Sequence, residues 1–157
     1  MEKISLVSLK LYKEKSIPYF KNQITDPKKA FRIIKDFIGN MDREVLGTIM
    51  LNSAKEVNAI EIVSIGTLNA TLVSPREIFK GAILSNADSI MIFHTHPSGN
   101  VEPSQADLDV TTMLNKVASI IGINLIDHII VGDDRYYSLA TEGYEFGSDI
   151  YNQQIEI

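Results

Sequence analysis

Two histidines and an aspartate have side chains and a spacing suited to holding a metal ion. His94 and His96 are separated by one residue, and Asp107 follows eleven positions after His96. The apolar run before His94 predicts a β-strand, on which residues two apart point to the same side. Imidazole nitrogen and carboxylate oxygen are zinc ligands, and a catalytic zinc site has three protein ligands and a fourth position for water. The spacing therefore predicts that His94, His96 and Asp107 hold zinc (Zn²⁺).

Such a site can hydrolyse an amide, because bound zinc lowers the pKa of its water to about 7. Hydrolysis also needs a general base and a hydrogen-bond donor for the oxyanion. Ser104, three residues before Asp107, is the candidate donor. Glu44 is the preferred base because it stands at the start of a predicted strand. Asp42 and Glu61 are rival carboxylates, and spacing alone does not decide among the three.

Each of these residues also has a structural interpretation. Ser104, followed by an acid three residues later, has the pattern of a helix N-cap, and Asp107 in a first helical turn is favoured by the helix dipole. Taken without Asp107, His94 and His96 are also compatible with a pair of surface or capping histidines. His128, beside Asp127, is a possible fourth ligand, but its strand is otherwise apolar. A hydrogen-bonded core histidine is the favoured interpretation there.

Capping residues and apolar spacing predict three helices. Asp26 is a good N-cap and Pro27 a good first helical residue. Ser74 and Glu77 have the spacing of a capping box. The helices are expected over residues 27–38, 75–83 and 105–121.

Branched and aromatic residues between turn signals predict five strands. They are expected over residues 45–51, 58–65, 89–94, 123–131 and 135–139. The first two form a hairpin, and the apolar residues from Ile4 to Leu11 suggest a further strand. The elements predict a single α/β domain in which flanking helices pack on one mixed sheet. We expect an N-terminal extension packed on the domain at 1–26, the domain at 27–143 and a polar C-terminal tail at 144–157.

Composition sets the broad class. The chain has 157 residues, 45% of them hydrophobic, which is typical of one soluble domain. It has no cysteine, so disulfides, thiolate ligands and a cysteine nucleophile are excluded. The formal net charge of -5 gives no basic footprint for nucleic acid. Neither a signal peptide nor a long apolar segment is recognisable, so a cytoplasmic location without membrane association is expected.

The motif has a recognisable order. His94-x-His96-Pro97, then Ser104 and Asp107, with Glu44-Val45-Leu46-Gly47 upstream, resembles the JAMM (MPN-type) metalloprotease motif. The more detailed similarity is to bacterial RadC-like proteins and covers roughly residues 27–143. It rests on these segments: His96-Pro97-Ser98-Gly99, Pro103-Ser104-x-x-Asp107, Ser64-x-Gly66-Thr67-Leu68-Asn69, Arg76-Glu77 and Leu125-Ile126-Asp127-His128-Ile129-Ile130-Val131-Gly132.

The resemblance implies a JAB/MPN fold of the cytidine-deaminase-like type. It implies that His94, His96 and Asp107 bind zinc, that Glu44 is the acid/base and that Ser104 stabilises the oxyanion. JAMM enzymes hydrolyse peptide or isopeptide bonds, so a peptide or protein substrate is expected.

Two departures from the family pattern bear on these expectations. Thr95 stands where JAMM proteases usually have serine and RadC-like proteins asparagine. It should point away from the metal, with little consequence. Deubiquitinating relatives grip ubiquitin with insertions, for which there is no room between Gly47 and His94. Ubiquitin is therefore not the expected substrate.

Two other functions remain open. One is a DNA-repair-associated or DNA-processing factor, supported by the origin of the family name and opposed by the acidic net charge. Larger relatives carry an N-terminal helix-hairpin-helix DNA-binding module, which we do not expect within the residues before 27. The other is a catalytically silent scaffold that keeps the fold for partner binding. The sequence leaves the substrate and the oligomeric state open.

Overall fold

A computed structural model describes residues 4–16, 23–39, 42–66 and 73–147. In these residues, three helices flank a single five-stranded sheet, which confirms the predicted mixed α/β architecture. The elements in chain order are α1 (Pro27–Ile38), β1 (Val45–Leu51), β2 (Val57–Ile65), α2 (Pro75–Leu84), β3 (Ser89–Thr95), α3 (Gln105–Ile121), β4 (Asn124–Val131) and β5 (Tyr136–Ser138).

The order of the strands brings the end of β3 and the start of α3 together. The strands are arranged β2-β1-β3-β4-β5, in which β3 and β4 are parallel and the other neighbours antiparallel. A parallel pair needs a crossover, and α3 provides it. The helix therefore begins near the carboxyl end of β3, where a strand residue and a first-turn helix residue can meet.

Each face of the sheet has its own apolar core. Helices α2 and α3 cover one face, where Phe79 and Leu114 pack with Leu46 and Ile92 of the sheet. Helix α1 covers the other face, with a cluster that includes Ile34, Ile49, Phe93 and Ile129. Alternation along β3 places His94 on the same face as Ile92, the face that α3 covers.

All three helices begin at the predicted residues, and two of the three N-cap side chains make the expected hydrogen bond. The Asp26 side chain accepts a hydrogen bond from the Lys29 backbone N–H at 2.9 Å, and Ser104 begins α3 with a complete capping box. The capping box predicted at Ser74 is wrong, because the Ser74 side chain makes no capping hydrogen bond. Glu77 instead forms an ion pair with Lys80 one turn along the helix.

The N-terminal strand suggested by the apolar pattern is also wrong for residues 4–16, which contain no strand. The side chains of Ile4 and Leu6 are fully exposed there. A strand needs a partner with which to share its backbone hydrogen bonds, and the pattern alone does not supply one. Ile24, by contrast, is buried, and its N–H donates to the Lys55 carbonyl at 2.9 Å.

Some predictions fall outside the described residues. These are the Thr67-Leu68-Asn69 part of the RadC-like motif and most of the expected tail, from residue 148 onward. The proposed division at residues 26 and 143 stays a prediction. In the described part of the chain, no helix is both long and apolar enough to cross a bilayer.

Candidate metal centre

The two histidines of the motif are held at the carboxyl end of β3. His94 is the penultimate residue of the strand, and His96 follows its last residue. The His96 N–H donates to the Val131 carbonyl at 2.9 Å, which extends the pairing with β4 beyond the end of β3. Both imidazoles are therefore fixed on the face of the sheet that α3 covers, as the spacing predicts.

The structure brings the three predicted ligands together. His94 Nε2 lies 2.7 Å from His96 Nε2 and 3.1 Å from Asp107 Oδ1, and His96 Nε2 lies 3.7 Å from Asp107 Oδ2. One ligand atom from each residue lies within 4.8 Å of the other two, so the group could hold a metal ion. His94 and Asp107 are buried, whereas the His96 side chain is 16% exposed. Access from solvent therefore runs past His96.

The protonation of the imidazoles suits a cation. Burial lowers the pKa of His94 to about 4, although the nearby Asp107 carboxylate acts in the opposite direction. His94 is consequently neutral at pH 7. His96 Nδ1 lies 2.5 Å from the carbonyl oxygen of Asn100. Because a carbonyl only accepts, Nδ1 carries the hydrogen, and in the neutral ring Nε2 keeps a lone pair, as a metal ligand requires.

Ser104 orients the carboxylate of Asp107. The backbone N–H and the Oγ of Ser104 both donate to Asp107 Oδ2 at 2.7 Å, and Ser104 Oγ accepts from the Asp107 N–H at 3.2 Å. These bonds confirm the N-cap interpretation of Ser104. They also turn Asp107 Oδ1 towards His94. Because the serine hydroxyl has a single hydrogen, Ser104 can donate to an oxyanion only after turning away from Asp107 Oδ2.

Replacing Ser104 by alanine tests the capping role. We expect Ser104→Ala to lower the free energy of unfolding by about 1 kcal/mol, because the variant loses an N-cap. Ser104→Thr keeps a capping hydroxyl and should lose much less. Urea unfolding of the metal-free proteins measures both effects. Equal stability of Ser104→Ala and the parent would show that the cap contributes nothing.

Glu44 and Ser104 lie along the same cavity. In the antiparallel pairing of β1 and β3, Leu46 is opposite His94, and Glu44 lies just before the first residue of β1. A cavity of about 710 Å³ opens there, lined by Glu44, His96 and Ser104 together with Asp42, Arg43, Gly66, Pro97, Ser98, Asn100 and Glu102. The rival carboxylate Asp42 is thus at the cavity. Glu61 is not among its described lining residues and pairs with Thr48 in the sheet.

Thr95 has buried hydrogen-bond partners that the sequence does not predict. Its side chain lies on the opposite side of β3 from His94, as predicted. Thr95 Oγ1 accepts from the Val45 N–H at 2.9 Å and donates to the Arg43 carbonyl at 3.0 Å. These two backbone groups flank Glu44, so Thr95 fixes the chain on both sides of the candidate base. The available signal was a polar side chain in a buried strand, which must have a partner.

Removal of the Thr95 hydroxyl should therefore be costly. We expect Thr95→Val to lower the free energy of unfolding by about 1–3 kcal/mol, because the variant leaves the buried Val45 N–H without its acceptor. Thr95→Ser keeps the hydroxyl and is the matched control. Thermal unfolding of the two variants measures the difference. If Thr95→Val were as stable as Thr95→Ser, the two hydrogen bonds would contribute nothing.

His128 is buried between His94 and α3. Its Nε2 lies 2.8 Å from His94 Nδ1, and its Nδ1 lies 2.6 Å from Thr111 Oγ1. Both ring nitrogens therefore have a hydrogen-bond partner. His128 is a hydrogen-bonded core histidine, as the sequence favours, and it stands outside the three-residue ligand group.

Known proteins match most of the chain. The model of the RadC-like JAB domain family matches residues 24–144. The UPF0758 protein of Clostridium acetobutylicum is 44% identical over 121 residues, which cover 77% of this chain and 53% of that protein. The UPF0758 protein of Caldanaerobacter subterraneus is 40% identical over 121 residues, covering 77% and 52%. That of Methanosarcina mazei is 39% identical over 124 residues, covering 79% and 54%. The chain thus spans about half the length of the curated relatives it matches.

Proposed function

This chain belongs to the RadC-like JAB domain family, and on that premise we propose that it is a zinc-dependent hydrolase of peptide or isopeptide-type bonds. The observation that carries the proposal is the convergence of two imidazoles and a carboxylate, one of which, His96, lines a cavity together with Glu44 and Ser104. A candidate metal ligand, a candidate base and a candidate hydrogen-bond donor therefore border the same cavity. These are the parts that amide hydrolysis needs.

The ligand group fits zinc better than the hard cations. Magnesium and calcium prefer oxygen ligands, whereas two imidazoles and one carboxylate are typical of catalytic zinc. His94 and His96 each offer a nitrogen, and Asp107 offers an oxygen and a negative charge. Zinc held by these three residues would supply Lewis acidity, lowering the pKa of water and polarising a carbonyl oxygen.

The residues of the cavity carry out the proton transfers. The Glu44 carboxylate takes a proton from the attacking water, whose oxygen bonds to the carbonyl carbon of the scissile amide. Glu44 then delivers that proton to the amide nitrogen as the carbon–nitrogen bond breaks. One water is consumed, and a carboxylic acid and an amine are released. Ser104 Oγ turns from Asp107 and donates to the carbonyl oxygen while that oxygen carries negative charge.

The charge of the cavity favours a peptide over a nucleic acid. Its described lining contains the three carboxylates of Asp42, Glu44 and Glu102 but a single guanidinium, that of Arg43. The whole chain has a formal net charge of -5. Binding to a phosphate backbone relies on lysine and arginine to displace counterions, and this cavity has the opposite balance.

Cleavage of an unbiased peptide library tests the proposal. Zinc-loaded protein is incubated with the library, with and without chelator, and the products are identified by mass spectrometry. We expect cleavage that the chelator abolishes, that added zinc restores and that Asp107→Asn lacks. Zinc-loaded protein that cleaves no peptide would contradict the proposal and favour a scaffold. Salt-dependent binding of DNA without cleavage would favour the DNA-associated function.

A further inference from the structure

A buried chain of hydrogen bonds connects the candidate ligand His94 to helix α3. His94 Nδ1 lies 2.8 Å from His128 Nε2, and His128 Nδ1 lies 2.6 Å from Thr111 Oγ1. Thr111 Oγ1 in turn lies 2.6 Å from the backbone carbonyl oxygen of Asp107. Thr111, His128 and His94 are all at most 1% exposed. The chain therefore begins at the backbone of one candidate ligand and ends on the side chain of another.

The donor and the acceptor of each hydrogen bond can be assigned in order, starting from the Asp107 carbonyl. A carbonyl only accepts, so the single hydroxyl hydrogen of Thr111 goes to Asp107. Thr111 Oγ1 must then accept from His128, which places a hydrogen on His128 Nδ1. A neutral imidazole carries one hydrogen, so His128 Nε2 is an acceptor and receives the hydrogen of His94 Nδ1. His94 Nε2 is left with a lone pair, directed at the site where it meets His96 Nε2 and Asp107 Oδ1.

The surroundings of His128 keep it neutral, as this order requires. His128 is fully buried, and its two ring nitrogens face an imidazole and a hydroxyl, so a charged ring there would be buried without a counter-ion among its hydrogen-bond partners. The adjacent Asp127 does not offset this, because its carboxylate accepts from Ser138 Oγ at 2.6 Å and from two backbone N–H groups.

We propose that His128 and Thr111 are positioning residues that fix the tautomer of His94 with its hydrogen on Nδ1. A ring with the hydrogen on Nε2 cannot offer that nitrogen to a cation. These two residues thereby raise the affinity of the site for a divalent metal without contacting the metal themselves. The effect of the His94 tautomer on metal affinity rests on the metal site of the proposed function. The tautomer itself is a property of the metal-free protein.

Nitrogen-15 NMR of the histidine rings reads the tautomer directly. The chain has three histidines, so protein labelled at histidine gives three ring systems to assign. We expect His94 and His128 of the metal-free protein both to carry their hydrogen on Nδ1. Thr111→Val removes the hydroxyl that accepts from His128 Nδ1 and should produce mixed tautomers at both rings. Thr111→Ser keeps the hydroxyl and should restore the parent spectrum.

Metal affinity gives the second measurement. We expect Thr111→Val to bind zinc about 10–100-fold more weakly in a chelator competition, the usual loss when a partner of a ligand is removed. Thr111→Ser should bind like the parent. Thr112→Val, on the same helix, should also bind zinc like the parent, because the exposed Thr112 hydroxyl has its hydrogen bond with Tyr144, away from this network.

Two results would overturn the inference. One is a metal-free parent whose His94 carries its hydrogen on Nε2, a result that needs no variant to fold. The other is a folded Thr111→Val that keeps both the parent tautomers and the parent zinc affinity. Failure of the proposed function would look different. The protein would then cleave no peptide, while the tautomers of His94 and His128 would stay as stated.

Discussion

Asp107→Asn is expected to abolish stoichiometric zinc binding. The substitution keeps the shape of the side chain but removes the only negative charge among the three candidate ligands. Loss of a residue that merely supports a ligand costs about 10–100-fold in affinity, so loss of a ligand itself should cost more than ~100-fold. Isothermal titration of metal-free protein with zinc, checked by elemental content after dialysis, measures the effect.

A control separates this loss from general damage. Asp109→Asn removes a carboxylate from the exposed side of the same helix, where Asp109 accepts from Gln105 at 2.9 Å. It should bind one zinc like the parent. Metal-free Asp107→Asn should unfold no earlier than the metal-free parent, because its amide can donate to a histidine lone pair. Parent-like zinc binding by Asp107→Asn would exclude Asp107 as a ligand.

Glu44→Gln is expected to keep zinc and lose turnover. Glu44 is outside the ligand group but lies on the same cavity as His96. Glutamine fills nearly the same volume and cannot take a proton at neutral pH. A general base contributes about 10²–10⁴-fold to the rate, so a decrease of that size in kcat is expected. The rate is measured on a peptide that the zinc-loaded parent cleaves.

Two other carboxylates of the cavity provide the comparison. Glu102→Gln removes one exposed carboxylate of the lining and should leave kcat unchanged. Asp42→Asn tests the rival base, whose side chain lies 3.7 Å from Arg43. If Asp42→Asn lost turnover while Glu44→Gln kept it, the base would be Asp42. Loss of zinc from Glu44→Gln would instead place Glu44 among the ligands.

The parts of the site that share a local pattern could be predicted from the sequence. Strand alternation placed His94 and His96 on one side of β3, and the capping pattern placed Asp107 in the first turn of α3. The crossover between β3 and β4 then brings these elements together. For this reason the three-residue group and the mixed α/β fold follow from spacing and periodicity. The prediction that Glu44 is the base depended on the family resemblance, because spacing alone does not connect Glu44 with residues 94–107.

The features of the site that could not be predicted depend on contacts between distant segments. Thr95 bonds to backbone groups about fifty positions earlier in the chain, and His128 joins β4 to both β3 and α3. Neither partner can be derived from local periodicity. The failed cap at Ser74 shows the converse, since a correct local pattern remained unused. Ser104 has the same type of pattern, and both hydrogen bonds of its capping box are formed.

The capping box of α3 and the ligand group share one carboxylate. Asp107 Oδ2 accepts the two Ser104 donors, while Oδ1 lies towards His94. The N-terminal turn of the helix therefore orients a metal ligand with hydrogen bonds that stabilise the helix in any case. This double use explains why the structural and the functional interpretations of Asp107 are compatible.

Anomalous diffraction from zinc-soaked crystals tests the central claim most directly. Data collected above and below the zinc absorption edge locate the ion without reference to activity. We predict one strong anomalous peak between His94 Nε2, His96 Nε2 and the Asp107 carboxylate, and no peak there in Asp107→Asn. Fully soaked crystals with no peak at these three side chains, or with the peak at other residues, would contradict the account.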